Sequence, residues 1–187
     1  MKARIILFAL VMALFAACDK DDDNGLIVND GLLHYDGDND SGPNLAPGNY
    51  EAAIRIPASD MNAFKDQKLK EVTIFVAFQP ASCAIKVYTQ GTSDIPGNLL
   101  YSVDVTDVVK ELTWFTHRLP EDVIIDGRDL WVSMAVEHSD TRQSISCDAG
   151  PNRPNGDWFY DSSDQQWRPY VNRTSESINW NIRAKVE

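Results

Sequence analysis

The 187 residues carry 28 Asp and Glu against 17 Lys and Arg, a formal net charge of −11, with 43% apolar and 10% aromatic residues. An acidic surface repels phosphate backbones, which argues against nucleic acid as a partner. The apolar fraction suffices for one buried core, no internal repeat of roughly 20–50 residues is visible, and a single domain is expected.

Residues 1–17, MKARIILFALVMALFAA, divide into the parts of a secretory signal: Lys2 and Arg4, an apolar run from Ile5 to Phe15, then Ala16 and Ala17 ahead of Cys18. The eleven-residue run is too short for a bilayer, which takes about 20 residues, and suits a signal-peptide core. A cysteine after two alanines follows the lipobox pattern of bacterial lipoproteins, with Phe15 standing where that pattern prefers Leu. Cys18 is therefore the expected site of lipid attachment, and two or more acyl chains, at about 0.8 kcal/mol per buried methylene, anchor a protein stably to a membrane. Loss of residues 1–17 removes two cations and no acid, leaving 15 Lys and Arg against 28 Asp and Glu, a net of −13. That balance leaves no polybasic patch for anionic lipid.

Residues 18–31 read as a linker that opens on the solvated charge run Asp19-Lys20-Asp21-Asp22-Asp23. A lysine followed by acids directly after such a cysteine resembles the surface-export signal of lipoproteins from the Bacteroidota phylum. The resemblance implies an outer-membrane lipoprotein displayed on the cell surface, with a periplasm-facing location as the alternative. The folded domain is expected over residues 32–187.

Near its start, Asp36, Asp38 and Asp40 alternate in Asp36-Gly37-Asp38-Asn39-Asp40-Ser41-Gly42. Alternate aspartates set hard oxygens on one side of a loop, as calcium requires, and these three are the candidate ligands of a structural calcium ion. An EF-hand loop would need glycine and glutamate where Ser41 and Pro47 stand, so that motif is not matched. A solvated turn is the competing reading.

Period-two patterns then dominate. Tyr50, Ala52, Ile54 and Ile56 alternate with Glu51, Ala53 and Arg55. Ser59 to Phe64 is the one helical stretch, with Ser59 as its cap and Met61 and Phe64 on one side. Val72, Ile74, Val76 and Phe78 follow, and Phe75 and Ala77 between them suggest burial on both faces. Cys83, Ile85 and Val87 share a parity, as do Leu99, Tyr101, Val103 and Val105. Leu130, Val132, Met134 and Val136 alternate with Asp129, Ser133 and Glu137. At the C-terminus Ile178, Trp180, Ile182, Ala184 and Val186 face away from Asn179, Asn181, Arg183 and Lys185. Turn clusters separate them at Asp94–Asn98, Asp126-Gly127 and Asn152–Gly156. Eight to ten half-buried antiparallel strands with such turns predict an all-β sandwich.

Cys147 shares a parity with Ile145. A Cys83–Cys147 disulfide, allowed outside the cytoplasm and worth on the order of 4 kcal/mol by loop entropy, stands beside the equal alternative of two separately buried thiols.

The stretches Leu33-His34-Tyr35-Asp36, Glu51 to Asp60, Val87-Tyr88, Pro96 to Tyr101, Leu130-Trp131-Val132, Asp148 to Pro151 and Asn179 to Ala184 together resemble jelly-roll domains of Bacteroidota surface proteins. Such domains accompany gingipain-type proteases and occur in haemagglutinin-like proteins as adhesin modules. The resemblance spans residues 32–187 and implies an antiparallel jelly roll, non-catalytic, with adhesion as its activity.

Enzyme signatures are absent: there is no G-x-S-x-G, H-E-x-x-H or G-x-x-x-x-G-K-[ST]. His34, His117 and His138 are scattered and read as structural hydrogen-bonding residues. The rings Trp158, Phe159, Tyr160, Trp167 and Tyr170 crowd one segment, and aromatic faces stack on sugar rings. Trp158 and Tyr160 share a parity that would cover the sandwich, whereas Trp167 and Tyr170, beside Arg168 and Pro169, suit an exposed platform. These four are the candidate ligand-binding residues, with a glycan or a host or neighbouring protein as partner. Two other classes stand against this reading, a glycoside-processing or accessory hydrolase and a structural envelope component. A groove lined by paired carboxylates would favour the hydrolase; a flat, ring-bearing surface would favour binding.

Overall fold

A computed structural model describes residues 25–187; the signal-peptide pattern, Cys18 and the acidic run after it lie outside the described residues. The alternating runs become strands of two antiparallel sheets. In chain order they are β1 (Ile27–Asn29), β2 (Leu32–His34), β3 (Gly48–Ile56), β4 (Lys68–Val76), β5 (Ser82–Tyr88), β6 (Leu99–Asp104), β7 (Thr113–Ile124), β8 (Leu130–His138), β9 (Trp158–Asp161), β10 (Gln166–Pro169) and β11 (Ile182–Val186). Two single helical turns, α1 (Ala58–Met61) and α2 (Val171–Thr174), and a 3-10 turn at Asn62–Phe64 complete the set. None of the described helices is long and apolar enough to cross a membrane.

One sheet has the order β1-β2-β11-β4-β7 and the other β10-β9-β3-β8-β5-β6. Without β1 and the β9–β10 hairpin, eight strands remain, β2-β11-β4-β7 facing β3-β8-β5-β6. Successive strands of this set change sheet at every connection except β5 to β6, which is the path of a jelly roll. The hairpin falls in the long connection from β8 to β11 and lays β9 against β3, so the second sheet grows to six strands.

Apolar residues of one parity from each sheet meet between the layers. Leu33, Ile54, Ile74, Ile85, Met134, Trp180 and Ile182 are all buried there, each worth roughly 1.5–3 kcal/mol for the aliphatic side chains. Tyr101 on β6 and His117 on β7 close the open side of the sandwich through a 2.7 Å contact between Oη and Nε2.

Several expectations need correction. β1 falls inside the segment read as linker, because Asp30 and Gly31 (φ 50° and 75°) form a two-residue turn that folds it back on β2. Gly31 is required: a Cβ there would lie 2.5 Å from the Val186 carbonyl oxygen. Ser59 is not a cap. Pro57 precedes the helix, and Asp129 from the loop before β8 accepts the Ala58 amide at 2.8 Å. Phe78 is exposed and Phe75 half-buried on the outer face, so β4 is covered on one side only. β11 holds only Ile182–Val186; Asn179 and Asn181 before it are buried and hydrogen-bonded inward. Cys83 and Cys147 are both free and buried, so the disulfide alternative gives way to separate thiols. Cys83 lies in β5 paired with β8, and Cys147 is bridged to Ser41 and Trp180. Burial pushes their thiols up to about 12 and about 11.

Candidate functional site

The outward-facing residues of the six-stranded sheet are unlike those of an ordinary solvated face. Register places them in rows. One row runs Trp167, Tyr160, Glu51, Ala135, Ala84, Asp104 across β10, β9, β3, β8, β5 and β6. The next runs Trp158, Ala53, Ser133, Lys86, Ser102. A third holds Arg55, Trp131 and Tyr88. Ala53, Ala84, Ser133 and Ala135 make a floor of small side chains, and larger ones rise on either side. The floor is therefore a trough.

Two adjoining depressions occupy it. One, of about 280 Å³, is lined by Glu51, Ser82, Ala84, Lys86, Ala135 and Tyr160 among others. The second, of about 370 Å³, is lined by Glu51, Lys86, Tyr88, Tyr160, Trp167 and the Ile95-Pro96-Gly97 loop. That loop is tightly wound: a Cβ on Gly97 would sit 2.3 Å from the Gln90 carbonyl oxygen. Glu51, Lys86 and Tyr160 line both depressions.

Glu51 is only 6% exposed, and its carboxylate accepts three hydrogen bonds. Tyr88 Oη donates to Oε1 at 2.7 Å, Ser133 Oγ to the same oxygen at 2.5 Å, and Lys86 Nζ to Oε2 at 2.8 Å. These contacts supply what a buried carboxylate needs. Burial, and then the Glu51 charge beside it, hold the Tyr88 hydroxyl well above its ordinary pKa, so it remains a donor at any working pH.

The aromatic wall is a packed unit. Trp131 lies with its ring centroid 5.0 Å from Trp158 and 5.9 Å from Trp167, and Tyr160 is 5.6 Å from Trp167. Arg55 lies 6.0 Å from the Trp131 centroid and is held by Asp129. Buried support of this kind fixes the rings exposed above it.

The predicted residues sort accordingly. Tyr160 and Trp167 line the trough. Trp158 does not cover the core, since Phe159 has that parity; it faces outward but is buried beneath its aromatic neighbours. Tyr170 is not a platform residue. It packs into the core, 5.4 Å from Phe159 and 5.0 Å from Trp180. Glu51, Lys86, Tyr88, Trp131 and Ser133 escaped the sequence reading as site residues. Their signal was the small outward residues on neighbouring strands, visible only once pairing is known.

The calcium set does not assemble. Asp36 is wholly buried and takes hydrogen bonds from His34 (2.9 Å), Asn181 (2.9 Å) and Arg183 (2.8 Å), whereas Asp38 and Asp40 are exposed. Among the described residues no group of three or more His, Cys, Asp or Glu is placed to hold a metal ion. Asp36 instead ties β2 to β11. A second carboxylate, Asp148, similarly accepts the amides of Gly37, Gly150 and Asn179 and the Asn179 side chain.

No family model matches the chain, and no curated protein or solved structure matches it. The site must be interpreted from its own geometry. A ring-walled trough with one neutralised ion pair can stack a flat ligand and hydrogen-bond its edge. Among the described residues Glu51 is the one acid lining either depression, and its carboxylate accepts from Ser133 of β8. The trough is neither the carboxylate-paired groove nor the flat surface that the two sequence readings anticipated.

Proposed function

We propose that the protein is a non-catalytic binding module, tethered to the cell surface through lipid on Cys18, that holds carbohydrate in the trough of its six-stranded sheet. The observation that carries the reading is the pairing of a small-residue floor with the rings of Tyr160 and Trp167. Aromatic faces over a shallow, partly polar trough suit sugar rings, which present an apolar face and a hydroxylated edge. An adhesive role agrees with the lipobox pattern at Cys18, the acidic segment after it and the resemblance to adhesin-like jelly rolls. A binding role also agrees with the state of Glu51: a carboxylate already accepting three hydrogen bonds is poorly placed to shuttle protons.

Two measurements test the reading. Metabolic labelling with a fatty acid should tag the wild-type chain and leave Cys18→Ala unlabelled. In a glycan array the wild type should bind, and Trp167→Ala and Tyr160→Ala should lose that binding while keeping the wild-type far-UV spectrum. Glycan turnover by the protein, or array signals untouched by both substitutions, would overturn it.

A further inference from the structure

Resting on the carbohydrate reading above, the geometry points to a narrower ligand class: we infer that the trough selects neutral sugars bearing a vicinal diol, read by Glu51 and Lys86 together. The two residues present an acceptor and a donor side by side. Oε1 of Glu51 is filled by Tyr88 and Ser133, but Oε2 accepts only Lys86 among the described residues. A carboxylate oxygen has two lone pairs, so one is left. Lys86 spends one of its three N–H groups on Glu51, and its side chain is 28% exposed. Acceptor and donor atoms are 2.8 Å apart, the spacing of adjacent hydroxyl oxygens on a pyranose ring. One hydroxyl donates to Oε2 while its neighbour accepts from Nζ.

Charge sets the second half of the selection. The pair is neutral as a whole, and among the described residues the depressions hold no cation besides Lys86. A uronate or sulfate would meet an ammonium already neutralised and a carboxylate that repels it. The ring wall gives the ligand its orientation. Tyr160 lines both depressions beside Glu51 and Lys86, so a sugar stacked on it turns its edge toward the pair.

Affinity electrophoresis of the full chain provides the test. The gels contain (1→4)-linked glucan, which has a 2,3-diol in every unit, or (1→3)-linked glucan, which has none along the chain. Further gels contain the (1→4) polymer after periodate oxidation and borohydride reduction, or a polyuronate. Retardation by the untreated (1→4) polymer alone is expected. Glu51→Gln and Lys86→Met should each weaken it by roughly ten- to a hundredfold, the effect of losing a hydrogen bond to a charged group. Equal retardation by the oxidised, (1→3)-linked or uronate polymers overturns the diol inference and leaves carbohydrate binding standing. No retardation by any of the four polymers overturns the diol inference, and the glycan array then decides the carbohydrate reading on its own. The polymer comparisons use the wild-type protein, so they decide the matter even if a substitution impairs folding.

Discussion

Lys86 on β5 reaches Glu51 on β3 across an intervening strand, and the 2.8 Å contact passes over Ser133 of β8. The pair exists because the residue between is small. Ser133 also donates to Glu51 at 2.5 Å, so it is both the gap and part of the support. Ser133→Leu should fill that gap, separate the pair and destabilise the domain by about 1–3 kcal/mol through overpacking. Urea denaturation gives the stability change. Unaltered stability together with unaltered carbohydrate binding would refute this account of the floor.

The two ring residues predicted alike from sequence should part company on mutation. Trp167→Ala is expected to abolish carbohydrate binding with a small effect on stability, since Trp167 lies at the surface of the aromatic wall. Tyr170→Ala should cost about 3–5 kcal/mol, as for other large-to-small aromatic core changes, without touching the trough. Thermal melts and binding isotherms on both variants separate these outcomes.

Acid should weaken the domain in two stages. Burial holds the His138 imidazole below its ordinary value, outweighing the Leu45 backbone and Asp140, which act against it, with Arg142 acting in the same direction as burial. A histidine with a lowered folded pKa contributes stability that is complete above about pH 6.5 and is lost as the pH falls below it. For Asp36, burial alone would raise the carboxyl, but hydrogen bonds from His34, Arg183 and Asn181 outweigh it and hold the pKa below the ordinary carboxylate range. Its contribution is complete above about pH 4 and disappears as the pH falls through the lowered folded value. Stability measured from pH 8 to pH 2 should show both stages. Asp36→Asn should shrink the lower one, which exposed aspartates such as Asp164 also feed, and keep the upper.

Neither Cys83 nor Cys147 should react in the folded protein. Thiols raised to about 12 and about 11 by burial are scarcely ionised at pH 8, and the thiolate is the reactive form. Iodoacetamide followed by peptide mass analysis should leave both unmodified until denaturant is added. Complete alkylation within minutes under native conditions would contradict the buried placement.

The parts of the fold that sequence disclosed were those where burial alternates cleanly. Tyr50, Ala52, Ile54 and Ile56 face the core as their spacing predicts, as do Leu130, Val132, Met134 and Val136. The same logic failed where polar residues are buried by specific partners. Asn179 and Asn181 alternate like surface residues but serve buried carboxylates, and Asp36 looked like an ion ligand because its partner Arg183 is 147 positions away. β1 was missed although Asp30-Gly31 is a hairpin turn signal, since the two flanking strands are only three residues long. Within the site, Tyr160 and Trp167 were legible as rings, but the trough was not. It depends on Ala53, Ala84, Ser133 and Ala135 becoming neighbours, which only strand order decides.

The β9–β10 hairpin is an addition to an otherwise complete eight-strand scaffold, and this separates specificity from folding in the chain. Residues that choose the ligand ring can change on the outward side of a two-strand graft. Inward, Phe159 locks that graft to Tyr50 and Trp180. A designer exchanging the hairpin to retarget the module would keep Phe159 inward and the buried Trp158 outward, and vary Tyr160 and Trp167.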